Sequence, residues 1–164
     1  MAKEKCEDHE VLKKAYDEVK TRYNLVPTFE ELDNEFEITV IEPERAHFIV
    51  RDINRAICSK IHKFIDNLAP IISPQPSSMH SMVEVKLFEK HEVEEMFKYY
   101  KKLMHLLHKS ILLSLKEEKD EAEFINEIWK DWPQIKNPII SYMSKITEGW
   151  SKEDIEEHTN EYLS

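Results

Sequence analysis

Glycine occurs once in 164 residues, at Gly149, and its scarcity excludes whole classes of function. Glycine supplies φ > 0 and lets a backbone come close to a ligand. Walker, Rossmann and nucleophile-elbow motifs each need glycines at fixed places, so none is present. Tight two-residue hairpins also depend on glycine, which argues against an all-β chain. Cysteine is nearly as scarce. Cys6 and Cys58 lie far apart without CxxC spacing, which indicates neither a disulfide framework nor a zinc site. No apolar run reaches about 18 residues, and the opening MAKEKCEDHE has no apolar core of a leader peptide. The expectation is a soluble cytoplasmic protein without a membrane partner.

What is present is charged and helical. Apolar residues make up 41% of the chain and charged residues 34%, a globular and not a disordered balance. Lys, Glu and Ile dominate, a mix shared by hot-adapted proteins and by products of AT-rich genomes. The length suits one domain spanning residues 1–164. We expect an all-α, single-domain bundle of five to seven helices built around residues 44–69 and 91–116. A minor two-stranded ribbon, 36–41 with 82–88, is allowed by alternation in MVEVKLF.

Residues 9–24 place Leu12, Ala15, Tyr16, Val19 and Tyr23 on one helical face. Thr28 with Glu31 three positions on forms a capping box for a short helix buried through Phe29, Leu32 and Phe36. Pro43 opens a long helix with the stripe Ile49/Val50, Ile53, Ile57, Ile61, Phe64/Ile65 and Leu68. Pro70, Pro74 and Pro76 with Ser77 and Ser78 mark an internal linker over 70–81. The strongest helical pattern, 91–116, carries Val93, Met96/Phe97, Tyr100, Leu103/Met104, Leu107 and Ile111. A helix over 119–131 is interrupted by Pro133, and another over 138–148 stops at Gly149 in a C′ role. Ser151 with Asp154 caps a final helix reaching about residue 162.

Charge is segregated along the chain, whose net charge is −10. Residues 1–44 hold 13 acidic and 6 basic side chains, 45–115 hold 7 and 11, and 116–164 hold 13 and 6. No acidic residue occurs between Met96 and Lys116. Lys98, Lys101, Lys102, His105, His108 and Lys109 share one side by i, i+3, i+4 spacing, and Arg45, Arg51 and Arg55 add positive charge. The candidate surface for nucleic acid or an acidic partner is therefore Arg51, Arg55, Lys98, Lys101, Lys102, His105 and Lys109. Against it stands the ordinary reading of a solvated helix face in an acidic protein. Trp129, Trp132 and Trp150 form a candidate partner interface, since Trp is enriched at hot spots; core packing is the competing use.

Chemistry-bearing constellations are weak. His105 and His108 lie three apart but lack further ligands in nearby segments. The single Glu-x-x-His, Glu44 to His47, sits where a helix start favours Glu anyway. Glu92-x-x-Glu95 and Glu117-x-x-Asp120 superficially resemble the Mg²⁺ carboxylates of all-α nucleotide pyrophosphohydrolases. The second pair falls in the charged connector KEEKDEAE, read as a solvated helix boundary. No nucleophile with a base and an orienting group can be assembled, so no enzyme, metal or cofactor is expected.

One stretch has a family likeness. Residues 45–64, RAHFIVRDINRAICSKIHKF, space arginines along a helix and end in Lys60-Ile-His-Lys63-Phe64. Before it lies Phe29-Glu-Glu-Leu-Asp33-Asn-Glu-Phe36, and after it the acidic start and tyrosines of Glu92 to Leu103. Over residues 10–116 this order resembles the helical domain of the GINS replication factor. GINS subunits carry a small β-domain as well, whereas residues 117–164 here read as helical. The resemblance implies a non-catalytic subunit bridging replication proteins through packed helices. The expected function is thus a protein-interaction or scaffold subunit, with itself or another protein as partner. Direct nucleic-acid binding is the alternative, and a metal-dependent nucleotide hydrolase a third.

Overall fold

The computed structural model describes the backbone of residues 2–151 and the side chains of 9–151. The described residues are all-α: α1 (Ala2–Tyr23), α2 (Phe29–Phe36), α3 (Ile49–Ile72), α4 (Met79–Val85), α5 (Lys90–Leu113) and α6 (Glu118–Trp150). Short 3-10 turns at Ile38–Val40 and Pro43–Phe48 join α2 to α3. Two compact units are formed, Met1–His62 with His105–Trp132, and Lys63–Met104 with Pro133 onward. Every boundary inside the chain falls within a helix, so α3, α5 and α6 each contribute a stretch to either unit.

In the first unit, the apolar stripes read from sequence are the buried ones. Leu12, Tyr16 and Val19 of α1 pack inward with Phe29, Leu32 and Phe36 of α2, and Ile49, Val50, Ile53, Ile57 and Ile61 of α3. Each such side chain, taken out of water, contributes about 1.5–3 kcal/mol. The Tyr16 hydroxyl donates to the Pro27 carbonyl at 2.7 Å. Thr28 caps α2 as expected: its hydroxyl accepts from the Glu31 N–H, and the Glu31 carboxylate accepts from the Thr28 N–H at 2.7 Å.

The scarcity of glycine shows at the helix ends. Asn24 (φ 53°) follows α1 and Glu37 (φ 58°) follows α2, both in the left-handed region that glycine usually fills. Asn tolerates this conformation; Glu has no local compensation for it. Leu25, buried, donates its N–H to the Lys20 carbonyl across the α1 terminus. Asn126 of α6 then clamps the turn, accepting from Val26 N–H and donating to the Asn24 carbonyl.

In the second unit Ile65, Leu68 and Ile71 of α3, Met96 and Leu103 of α5, and Ile135 and Ile139 of α6 are buried. The Tyr99 hydroxyl donates to the Ile135 carbonyl. Lys145 pairs with Glu92 at 2.6 Å and lies over the Phe88 ring. The Trp150 indole N–H donates to buried Glu84 at 3.0 Å, with His80 stacked on the ring.

Five expectations need correction. The ribbon is absent: Phe36 ends a helix, Ile38–Val40 is a 3-10 turn, and Met82–Val85 belongs to α4. Alternation in MVEVKLF lost to the Ser78 cap, whose side chain accepts from the Ser81 N–H. Pro70 lies inside α3, so the connector shrinks to residues 73–78. Pro43 opens a 3-10 turn, and α3 itself begins at Ile49. Pro133 and Pro138 do not divide the C-terminal helices; both sit within α6. A proline removes a helical hydrogen bond and costs about 3 kcal/mol in an isolated helix. Here Trp132, Ile135 and Ile139 hold the helix by burial on either side of the prolines. Gly149 is accordingly not a left-handed stop but a helical residue pressed against Leu87. The expected final helix after Ser151 lies outside the described residues.

Candidate functional site

Arg51, Asn54, Arg55 and Cys58 recur at i, i+3, i+4 and i+7 on one face of α3. Leu107, Ser110 and Ile111 at the end of α5, with Ser114 just after it, repeat that spacing. Together with Glu121, in the first turns of α6, these residues enclose a cleft of about 240 Å³ within the first unit. Its floor is polar. Asn54 is 3% exposed and Glu121 2%, and Ser110 is also buried. Arg55 and Ile111 stand at the open rim.

The floor's hydrogen bonding is incomplete. Asn54 donates its Nδ2 to the Glu121 carbonyl at 3.1 Å, leaving Oδ1 without a partner. Exchanging the two amide atoms would set oxygen against oxygen, so the assignment is fixed by this bond. Arg51 Nε and Glu121 Oε2 face each other at 3.5 Å, an ion pair too long for a good hydrogen bond. Both atoms are buried and make no hydrogen bond beyond this long ion pair. Burial raises the Glu121 carboxyl above the ordinary carboxylate value, with the Arg51 charge opposing. Burial also raises the Cys58 thiol, against a hydrogen bond from Ser110. A protonated thiol is a poor nucleophile. Beside the cleft, buried Asp52 accepts from Arg45 at 2.7 and 2.9 Å and from Arg55 at 2.9 Å.

The structure divides the expected cationic surface. Arg51 and Arg55 belong to the cleft. Lys109, in the same unit, is drawn to Glu127 and lies over the Phe124 ring. His105 is exposed. In the second unit Lys98, Lys101 and Lys102 are exposed, and none is held in an ion pair among the described residues. Lys101 rests over the Phe97 ring. In the last turn of α5 Ile111 and Leu112 are both 55% exposed, and Leu115 just beyond it is 80% exposed.

The three tryptophans differ. Trp132 is core: it packs on Phe36 at 4.6 Å and its indole N–H donates to Glu35 at 2.9 Å. It is therefore not offered to a partner. Trp129 is half-buried and Trp150 exposed.

Sequence reasoning missed Asn54 and Glu121. KEEKDEAE is not uniformly solvated, because Glu121 continues the stripe Phe124/Ile125, Ile128, Trp132 one turn upstream. That i, i+3, i+4 register was the available signal. Among the described residues no three His, Cys, Asp or Glu side chains group as metal ligands. No helix there is long and apolar enough to cross a membrane. Comparison with protein-family models, with curated proteins and with solved structures finds no match.

Proposed function

We propose that this chain is a non-catalytic interaction subunit that docks a protein, another chain or a second copy of itself. The supporting observation is the bare apolar end of α5. Ile111 and Leu112 in the last turn of α5 and Leu115 just after it are exposed, in a stretch that carries no acidic residue. Adjacent exposed aliphatics are costly to leave in water and are characteristic of interfaces. The likeness to the GINS helical domain makes a replication assembly the first place to look. Leu112→Asp with Leu115→Asp tests this without touching the core. Light scattering and affinity capture from native lysate should show self-association or a bound protein with the unaltered chain and its loss with the variant. A strictly monomeric protein that retains the same background as the variant would remove the reading.

Nucleic-acid binding is a second reading, favoured by the uncompensated Lys98, Lys101 and Lys102. Three phosphate contacts would give a log–log salt slope of about −3 for duplex DNA. Charge reversal of all three lysines should abolish such binding. Unchanged affinity after reversal would end that reading.

A further inference from the structure

Three lysines of α5 stand without a countercharge. Lys98, Lys101 and Lys102 belong to the second unit, are exposed, and join no ion pair among the described residues. Glu94 and Glu95 lie one turn before Lys98, but no acidic residue falls within four positions of Lys101 or Lys102. Like charges at i, i+3 and i, i+4 repel, so this face gains from an anion. It also has an apolar edge. Phe97 is 45% exposed, with Lys101 over its ring at 5.1 Å and Tyr100 stacked beside it at 6.5 Å. The fitting occupant is an acidic stretch with apolar side chains among its charges.

The chain carries such a stretch itself. Residues 152–164, KEDIEEHTNEYLS, hold five acidic side chains against one lysine, interleaved with Ile155, Tyr162 and Leu163. They lie outside the described residues and follow directly on Ser151, just after α6. Within this unit α6 runs antiparallel to α5, because Tyr99 reaches the Ile135 carbonyl and Glu92 meets Lys145. The last turn of α6 lies against Leu87, just before α5 begins. At a rise of about 1.5 Å per residue, Lys98 to Lys102 sit about 12–18 Å along α5 from Lys90. Extended chain covers about 3.3 Å per residue, so Glu156 and Glu157 can stand about 17–20 Å from Ser151, and Glu161 about 33 Å. The length is sufficient.

We propose that the acidic segment 152–164 lies back over the Lys98, Lys101 and Lys102 face of α5 and covers Phe97. A short tether supplies an effective concentration in the millimolar range, so a contact of weak intrinsic affinity is populated without an outside partner. Where the same lysines take phosphate, the segment and the phosphate exclude each other. The contact rests neither on docking at the α5 end nor on nucleic-acid binding.

Carbodiimide cross-linking of the full chain tests it, since the reagent joins carboxylates to amines already in contact. Peptide mapping should find amide links from residues 153–161 to Lys98, Lys101 or Lys102. In an equimolar mixture of ¹⁵N-labelled and unlabelled chains, each linked pair should carry one isotope only. Replacing the five acids, by Glu153→Gln, Asp154→Asn, Glu156→Gln, Glu157→Gln and Glu161→Gln, leaves every described residue unaltered. Acetylation of the three lysines should then speed up about twofold or more relative to exposed Lys14 of the first unit, the change expected when a half-populated cover is removed. About 1 M salt, where the Debye length is about 3 Å, should do the same to the unaltered chain. Absence of these links, links of mixed isotope, or lysine rates indifferent to the five replacements would overturn the proposal. The first and third results leave the face to an outside acidic partner, and the second assigns it to another copy of the chain.

Discussion

Replacing Gly149 with alanine sets two opposed effects against each other in one methyl group. In a helix interior alanine is favoured over glycine by about 0.8–1 kcal/mol, and somewhat less in the last turn, where Gly149 lies. The added Cβ, however, would stand 2.5 Å from Leu87 Cδ1, 2.6 Å from Cδ2 and 3.1 Å from Cγ. Cγ, Cδ1 and Cδ2 all lie beyond the Leu87 Cβ and turn together about χ1, so relief requires Leu87 to leave its present rotamer. Overpacking of this kind costs about 1–3 kcal/mol. The net expectation for Gly149→Ala is a loss of about 1 kcal/mol, a fall in Tm of about 2–4 °C for a chain of this size. Leu87→Ala removes the obstacle, so in that background the same substitution should be neutral or stabilising. The double-mutant cycle should therefore show a coupling of about 2 kcal/mol. Urea unfolding followed by fluorescence is a suitable assay, because neighbouring Trp150 reports on the same helix end. Stabilisation by Gly149→Ala alone, or an equal loss in the Leu87→Ala background, would refute the reasoning.

Two further outcomes follow from the same reading. Glu37→Gly should stabilise the protein by about 1 kcal/mol in thermal unfolding, because it relieves a left-handed non-glycine residue after α2; a loss would mean that the Glu37 side chain contributes more than its backbone costs. Glu121 has its folded pKa raised by burial above the ordinary 4.5, so its contribution to stability is full below that pH and declines as pH rises through the folded value. The Tm of Glu121→Gln relative to the unaltered chain should therefore increase between about pH 4.5 and neutrality, and a difference that stays flat or shrinks would contradict the assigned burial effect.

Much of the helical plan was legible because it rests on local rules. The Ile49 to Leu68 stripe, the α2 stripe and the Thr28–Glu31 cap depend on spacing and on side chains within one turn, and the structure uses them as written. The cationic run of α5 was equally visible, but its division was not. Lys109 finds Glu127 eighteen residues away, while Lys98 and Lys102 find no such partner among the described residues. The cleft was legible only in halves. Arg51 and Arg55 could be chosen for their charge, whereas Asn54 and Glu121 gain meaning from being buried opposite each other.

Composition and periodicity by themselves determined an all-α chain without glycine-built phosphate loops, because those properties need no partner segment. Packing decided the rest. Pro70, Pro133 and Pro138 break isolated helices, yet burial of their neighbours keeps α3 and α6 continuous. Gly149 looked like a stop and is instead a point of close approach, because what matters there is Leu87, sixty-two positions earlier in the chain. The acidity of Glu121 was plain from its letter; its burial, its raised pKa and its place in the cleft floor came only with the tertiary structure, since desolvation is a property of what surrounds a residue.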